Sequence, residues 1–330
     1  MTYTRREFTK LALTAAPAVG LLGEPVAGAW FGQNRPNSLF SGVQIGAITY
    51  SFRSLPDQSA EATLRYVIDS GISAIELMDG PAEAFAGRPS SGRGGGRGGR
   101  GVQLTPEQQA EQRAAQAAAQ GALKAWRTSV SMDKYKALRK MYNDAGVSIY
   151  AVKILSPNMS DEEYEYVFNV AEALGCTHTT LELPNDEAQL KRIGDFAMKR
   201  KIYAAYHTHL QGSMTAFDQA FALSPGNMAN VDLGHYVAAG NIGGTPIEFL
   251  EKHHARISSV HIKDRKSKAN GGENVPWGTG DTPLKDILQT MKARAWKFPA
   301  TVELEYRIPE GSDPVAETKK CVHYCADALK

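Results

Sequence analysis

The sequence of 330 residues predicts an α/β fold, a (β/α)8 TIM barrel. Eight short β-branched runs alternate with eight amphipathic stretches from residue 42 onward, which is the pattern of parallel strands joined by helices. The side chains with chemical capacity fall at the carboxyl ends of those runs, where such a barrel gathers its active site. A doubly wound open sheet is the main alternative. It usually carries a glycine-rich turn after its first strand, and here that turn reads Ala47-Ile48-Thr49-Tyr50-Ser51.

Each predicted strand is a run of four to eight residues rich in Val, Ile, Thr or aromatic residues, bounded by polar or glycine-containing segments. Such runs suit the buried parallel strands of a barrel. The predicted strands are residues 43–50, 73–78, 147–154, 178–183, 202–207, 229–233, 257–263 and 300–305.

The segments between these strands show helical periodicity and terminal signals. The run Ser160-Asp161-Glu162-Glu163 is typical of a capped helix start, and Gly71, Gly146 and Gly175 stand where helices end. The predicted helices are residues 58–70, 131–145, 160–174, 186–200, 214–223, 245–255, 282–294 and 315–329.

One segment, residues 84–127, interrupts the alternation in the loop after the second predicted strand. It begins with a Gly/Arg-rich stretch over residues 87–101 and continues as an Ala/Gln-rich stretch, predicted as a helix over 105–125. Arg-Gly repeats can bind RNA, but this one lacks interleaved aromatic residues. We therefore predict a disordered, low-complexity insertion on the catalytic face, with the helix as a lid or packing element.

The first 29 residues predict an export signal. Paired arginines, a nearby Phe and a Lys precede an apolar run over residues 11–22, and small residues follow at a cleavage position. This resembles a twin-arginine signal, so we expect a periplasmic protein whose barrel domain spans residues 30–330. The apolar run is too short for a stable transmembrane helix, and we expect no membrane contact once the signal is removed. The motifs are Thr4-Arg5-Arg6-Glu7-Phe8-Thr9-Lys10 and Ala27-Gly28-Ala29.

Charge and cysteine content exclude several classes of protein. The net charge of +2 conceals a basic segment, residues 88–127, with six arginines and one lysine against two glutamates. The remaining body is acidic, which argues against a nucleic-acid partner and against a zinc phosphodiesterase such as endonuclease IV, which needs a basic face. The three cysteines form no CxxC pair, which excludes a disulfide framework and a cysteine-rich zinc site.

The ends of the predicted strands carry carboxylates, imidazoles and lysines. A single such residue could be explained by an ion pair with a neighbouring helix. A full set around one rim instead predicts a common pocket, because strand ends converge on the barrel axis. The residues are Glu76, Lys153, Glu182, His207, His209, Asp232, His235, His261, Lys263, Glu303 and Glu305.

Five motifs, in this order and spacing, resemble the xylose isomerase-like superfamily, in particular its sugar phosphate isomerase/epimerase and inosose dehydratase branch. The resemblance spans residues 42–329 apart from the insertion, and it implies a TIM barrel. The motifs are Tyr206-His207-Thr208-His209, Asp232-Leu233-Gly234-His235, Val260-His261-Ile262-Lys263-Asp264, Gly278-Thr279-Gly280 and Val302-Glu303-Leu304-Glu305.

The resemblance implies one divalent metal ion held by Glu182, Asp232, His261 and Glu303. Three carboxylates and one imidazole favour Mn²⁺, with Mg²⁺, Co²⁺ and Zn²⁺ as alternatives. Glu305 shares a strand face with Glu303 and could ligate in its place.

Four residues are predicted to act in catalysis. His207 stands where sugar epimerases of the family often have a glutamate, and the Tyr-His-X-His form is closer to the dehydratase and keto-sugar lyase members. Either His207 or His209 could be the base, because an imidazole titrates near neutral pH, or could simply pack in the core. Lys263 would stabilise an oxyanion. Lys153 would contact a substrate hydroxyl or carbonyl, or else pair with Glu182 or Glu76.

Four further residues, Glu76, His235, Glu305 and Trp277, are predicted to contact the substrate. His235 could instead orient a metal ligand. Trp277 could stack on a sugar ring, or could pack structurally.

These residues predict a divalent-metal-dependent sugar isomerase or epimerase that abstracts a proton next to a carbonyl through a metal-bound enediolate. The alternative is a metal-dependent lyase, dehydratase or hydratase acting on a 3-keto-sugar, keto-glycoside or inosose. A remote alternative is a non-catalytic exported sugar-binding protein. The expected partner is a small sugar or keto-sugar.

Overall fold

The computed structural model of this chain describes residues 35–89 and 105–330. The predicted signal over residues 1–29 and most of the Gly/Arg-rich stretch lie outside the described residues. Among the helices that are described, none has the length and apolar content needed to cross a lipid bilayer.

Eight parallel strands form a closed barrel, which confirms the predicted TIM fold. Each strand pairs with its neighbours in chain order, and the first barrel strand pairs with the last to close the ring. A short strand, β1 (Leu39–Phe40), adds antiparallel to the first barrel strand. The barrel strands are β2 (Val43–Ile48), β3 (Ala74–Met78), β4 (Ser148–Lys153), β5 (His178–Glu182), β6 (Tyr203–His207), β7 (Asn227–Asp232), β8 (Ile257–Ile262) and β9 (Ala300–Val302).

Helices surround the barrel close to their predicted positions. Two short ones were not predicted, α2 and α8, and each begins at the residue after a strand. A seven-residue helix has too few turns for its periodicity to show in the sequence. The helices are α1 (Ala60–Asp69), α2 (Asp79–Phe85), α3 (Pro106–Arg127), α4 (Asp133–Asp144), α5 (Asp161–Leu174), α6 (Glu187–Arg200), α7 (Asp218–Leu223), α8 (Leu233–Ala239), α9 (Pro246–His253), α10 (Leu284–Ala293) and α11 (Pro314–Ala328).

Helix α3 is the Ala/Gln-rich stretch, and its ends show why it forms. Thr105 and Gln108 make a reciprocal capping box at its start, with Pro106 in the first turn. Most of its length is exposed. Its last residue, Arg127, is buried and lies 2.9 Å from the Glu83 carboxylate. The buried ion pair therefore anchors the end of α3 against α2.

Hydrogen-bonded polar side chains, which we call the polar column, run through the barrel interior in place of purely aliphatic layers: His178, Ser259, Asn230 and Glu76. Ser259 Oγ donates to Asn230 Oδ1 at 2.7 Å, and Asn230 Nδ2 donates to Glu76 Oε2 at 3.3 Å. His178 Nε2 lies 3.0 Å from Ser259 Oγ. Ser259 donates its only hydroxyl proton to Asn230, so it can only accept from His178. His178 therefore carries its proton on Nε2 and donates it to Ser259. Burial lowers the pKa of His178 to about 4, so the column is neutral at this point.

We expect His178 to make the fold sensitive to acid. The unfolded chain protonates this imidazole below about pH 6.5, whereas the folded protein resists protonation until about pH 4. Stability is therefore lost as the pH falls through this window, by about 2 kcal/mol at pH 5. Urea unfolding at pH 7.5 and pH 5 should show that the His178→Gln variant loses about 2 kcal/mol less than the wild type.

The exposed His323 provides a matched control, and His323→Gln should keep the wild-type pH dependence. An equal loss in wild type and His178→Gln would contradict the buried, neutral state of His178.

Candidate functional site

Four side chains meet at the carboxyl rim of the barrel, and we call them the buried cluster. Each offers one atom that could bind a metal ion, either a ring nitrogen or a carboxylate oxygen, and these four atoms all lie within 4.8 Å of one another. Strand pairing produces this convergence, since Asp232 pairs with His261 and the strand ladder places Glu303 directly after β9. All four are buried. The buried cluster consists of His207, Asp232, His261 and Glu303.

His261 lies between two carboxylates. Its Nδ1 is 3.1 Å from Glu303 Oε2, and its Nε2 is 2.8 Å from Glu76 Oε2. Burial lowers the pKa of His261, but the charges of Glu76 and Glu303 outweigh it and raise the pKa to about 10. If a metal ion takes the Nδ1 side, Glu76 is placed to hold the opposite N–H and orient the ring.

Glu76 is the third residue of β3, two residues before the carboxyl end of that strand. It is fully buried and accepts a hydrogen bond of 2.5 Å from Thr180. Burial raises the pKa of Glu76, and the adjacent His261 lowers it to about 2, so this carboxylate is ionised. The structure thus brings Glu76 to the site through His261, and its predicted substrate contact remains a prediction.

Lys263 forms ion pairs with three carboxylates of the rim. Its Nζ lies 2.9 Å from Asp232 Oδ2 and 2.7 Å from Glu303 Oε2, and it also contacts Glu305 Oε2. Burial lowers the pKa of Lys263, but Asp232 and Glu303 raise it above its usual value, so the ammonium stays charged. The same charge and His261 hold the pKa of Glu303 well below its usual value despite burial.

Glu182 lies outside the buried cluster, and its side chain is 49% exposed. Lys153 Nζ is 2.7 Å from Glu182 Oε1, which is the ion pair considered as the alternative for Lys153. His209 Nε2 is 3.8 Å from Glu182 Oε2. The structure therefore groups Glu182, Lys153 and His209 at the mouth of the barrel, and their predicted roles remain predictions.

Three imidazoles gather beside the buried cluster. His207, His209 and His235 each bring one ring nitrogen within 4.8 Å of the other two. Burial, together with the positive charge of His261, holds the pKa of His207 well below its usual value. Burial and then Lys263 lower the pKa of His235 to about 2. Both rings are therefore neutral at neutral pH.

Arg265 sets the protonation of His235, a role that was not predicted. Its Nη1 contacts His235 Nδ1, and its Nε donates to Gly272 O at 3.0 Å. A neutral imidazole that accepts at Nδ1 carries its proton on Nε2, which faces Glu305 Oε2 at 3.6 Å. His235 thus turns its N–H toward Glu305. In this tautomer neither ring nitrogen is free, so His235 would have to give up a proton or its contact with Arg265 before it could bind a metal ion together with His207 and His209.

The loop around Arg265 is held by the neighbouring carboxylate. Asp264 Oδ2 accepts backbone N–H bonds from Gly278, Thr279 and Gly280 at 2.8–3.1 Å. A Cβ on Gly280 would lie 2.0 Å from Asp264 Oδ1, so only glycine fits at this position. The sequence signal for Arg265 was its place directly after the motif ending in Asp264.

Without Arg265, the ring of His235 should no longer be restricted to one tautomer. We expect ¹⁵N–¹H correlation spectra of histidine-labelled protein to show the Nε2–H form in the wild type and a mixture in Arg265→Gln, with His235→Gln assigning the signals. The exposed Arg307 serves as control, and Arg307→Gln should leave the spectrum unchanged. A His235 ring protonated on Nδ1 in the wild type would contradict this geometry.

Trp277 packs against helix α11. Its ring packs edge-on against Tyr324 of α11, with centroids 5.6 Å apart. Both residues line a cavity of about 200 Å³ together with Tyr306. The packing considered for Trp277 is therefore present, and stacking on a sugar remains a prediction.

The buried cluster fits a divalent cation. It offers two carboxylates and two imidazoles that converge from separate strands. Within the described part of the chain, His207 Nδ1 is buried without a hydrogen-bond partner. Its lone pair is therefore available to bind a metal ion.

Comparisons with known proteins agree with the architecture. The family model described as xylose isomerase-like TIM barrel matches residues 98–323. None of the curated proteins matches the chain.

Solved structures show the same fold at low identity. A sugar phosphate isomerase/epimerase from Parabacteroides distasonis ATCC 8503 is 18% identical, with a TM-score of 0.56 over 88% of this chain and 96% of that chain. The probable 3-DHS dehydratase AsbF from Bacillus anthracis is 14% identical, with a TM-score of 0.56 over 85% and 97%.

A third similar structure is a xylose isomerase-like TIM barrel protein from Mycobacterium smegmatis in complex with magnesium. It is 15% identical, with a TM-score of 0.51 over 87% of this chain and 96% of that chain. The family model spans more than half of the sequence, and the chain therefore belongs to the xylose isomerase-like TIM barrel family.

Proposed function

We propose that the protein is a divalent-metal-dependent sugar isomerase or epimerase that removes a proton next to a carbonyl group. The observation that supports this most is the buried cluster, in which carboxylates and imidazoles from four strand ends converge beside a charged lysine. Family members of this fold include proteins named as isomerases, epimerases and dehydratases, which agrees with this class of chemistry.

The ion would be held by Asp232, His261 and Glu303, with a fourth donor from Glu182, as the resemblance implies, or from His207. When bound, it would polarise the substrate carbonyl and increase the acidity of the neighbouring C–H bond. Glu76 would hold the outer nitrogen of His261 and prevent the ring from turning.

The remaining residues can bind the substrate and move its proton. His207 or His209 would accept the proton on a ring nitrogen. Lys263 would donate to the oxygen on which negative charge develops. His235 would donate through Nε2 to a neighbouring hydroxyl, and Lys153 would contact an oxygen nearer the mouth.

A second candidate is a lyase or dehydratase acting on a 3-keto-sugar, keto-glycoside or inosose. The observation that favours it is the histidine at position 207, where a second carboxylate would serve a two-carboxylate epimerase. The first half of the reaction is the same. The base takes the proton next to the carbonyl, and the electron pair then expels a hydroxyl or alkoxyl group from the next carbon.

Product analysis distinguishes the two candidates. D-fructose, scyllo-inosose and methyl 3-keto-α-D-glucopyranoside can be incubated with metal-loaded protein and followed by ¹H NMR. An isomer or epimer with all atoms retained supports the first candidate, and release of water or methanol supports the second. Failure to convert any of the three would count against both.

The twin-arginine motif supports export of the folded protein, and we propose a periplasmic location with an unphosphorylated sugar as substrate. Fractionation of cells that express the full chain should recover it in the periplasm, and replacing Arg5 and Arg6 by lysine should retain it in the cytoplasm.

A further inference from the structure

We propose that His207, and not Glu182, completes the metal site, so that the ion is held by two imidazoles and two carboxylates. This proposal rests on the metal dependence in the proposed function. It reverses the preference for Mn²⁺ that three carboxylates imply, because imidazole ligands favour Zn²⁺, Co²⁺ or Fe²⁺.

His207 has unused hydrogen-bonding capacity. The side chain is 1% exposed, and its Nδ1 has no hydrogen-bond partner within the described residues. A buried polar nitrogen without a partner destabilises the fold, because no hydrogen bond offsets its loss of water. The two other fully buried histidines of the barrel, His178 and His261, have both ring nitrogens bonded. His207 is the exception, and it stands where three further donor atoms meet.

The four side chains of the buried cluster lie close enough together to enclose an ion. One ring nitrogen of His207 lies within 4.8 Å of the donor atoms of Asp232, His261 and Glu303. Four ligand atoms at about 2.0–2.2 Å from a tetrahedral ion are about 3.3–3.6 Å apart. The cluster therefore needs each donor to move by less than about 1 Å to enclose an ion. The rings of His207 and His261 are already packed, with centroids 4.6 Å apart.

Glu182 is exposed and already paired with a lysine. Glu182 pairs with His207 in the ladder between β5 and β6, so the two side chains leave neighbouring strands at the same level. His207 takes the buried position, while Glu182 is half exposed and held 2.7 Å from Lys153. For Glu182 to ligate through Oε1, it would have to leave this ion pair, whereas His207 already lies in the buried cluster.

The assignment leaves His209 as the base of the proposed reaction. His209 is 55% exposed at the mouth, where a substrate would enter. Its Nε2 lies 3.8 Å from Glu182 Oε2, beyond hydrogen-bond distance but close enough for an electrostatic interaction. His207 would then be a ligand with no separate role in moving the proton.

The test compares His207→Gln with Glu182→Gln in chelator-stripped full-length protein. Zn²⁺ affinity, measured by calorimetry and by metal content after dialysis, should fall by about 100-fold or more in His207→Gln, beyond what loss of an outer-sphere partner produces. Glu182→Gln should change it by less than about fivefold. Competition of the wild type with equimolar Zn²⁺, Co²⁺ and Mn²⁺ should exclude Mn²⁺.

A measurement on the wild type avoids dependence on how the variants fold. The ¹H NMR spectrum of Co²⁺-loaded protein should show two hyperfine-shifted, exchangeable imidazole N–H signals, from His207 and His261. One such signal, with metal retained in His207→Gln and lost in Glu182→Gln, would overturn the assignment. Failure of the wild type to retain any ion would instead contradict the proposed metal dependence itself.

Discussion

Replacing Lys263 by methionine is expected to destabilise the ion-free protein by about 3–5 kcal/mol, which is typical when one partner of a buried ion pair is removed. Lys263 is 2% exposed, and its ammonium lies within 3 Å of the carboxylates of Asp232 and Glu303. Methionine has a similar volume to lysine. The loss of stability would therefore result from the uncompensated negative charge and not from a cavity. Urea unfolding in EDTA measures the effect.

The same variant should become strongly dependent on a divalent cation. An ion bound by Asp232 and Glu303 supplies the positive charge that Lys263 no longer provides, so an excess of Zn²⁺ should restore most of the lost stability. The exposed Lys285 of α10 provides the control, and Lys285→Met should change stability by less than about 0.5 kcal/mol. Unaltered stability of Lys263→Met in EDTA would show that these carboxylates do not need the lysine.

Glu303→Gln is expected to weaken metal binding by about 100-fold or more and turnover by about 10³-fold, equivalent to about 4 kcal/mol of transition-state stabilisation. Glu303 Oε2 is bonded to both His261 and Lys263, so one substitution removes a ligand charge and loosens two neighbours. Calorimetry and turnover of the sugar identified by product analysis measure the two effects.

The exposed Glu310, which follows in the same segment, is the matched control for this substitution. Glu310→Gln should keep both metal affinity and turnover. If Glu303→Gln retained a full metal complement and normal turnover, Glu303 would have no place in the site.

Much of the fold could be predicted from the sequence, because the strand and helix patterns and the turn residues between them repeat eight times. The last strand shows the limit. Residues 300–305 share one alternating pattern, but the ladder ends at Val302, and Glu303 and Glu305 extend beyond it toward Lys263. Hydrogen bonding between strands, which no local pattern records, determines where a strand ends.

The sequence predicted which residues meet at the site better than it predicted the contacts that each of them makes. Asp232, His261 and Glu303 converge because strand ends of a closed barrel must converge. The substrate contact of Glu76 remains a prediction, and its bond of 2.8 Å to His261 Nε2 was not predicted. The position of Arg265 against His235 depends on a loop folded around Asp264, and that geometry comes from tertiary contacts alone.

Exchange of the proton next to the substrate carbonyl is the most direct measurement. Metal-loaded protein is incubated in D₂O with D-fructose, scyllo-inosose or methyl 3-keto-α-D-glucopyranoside, and the α-proton signal is followed by NMR. At least one sugar should exchange this proton with solvent, and EDTA or Glu303→Gln should abolish the exchange. A folded protein with its ion bound that exchanges no α-proton on any of these sugars would contradict proton abstraction next to a carbonyl as the function of this barrel.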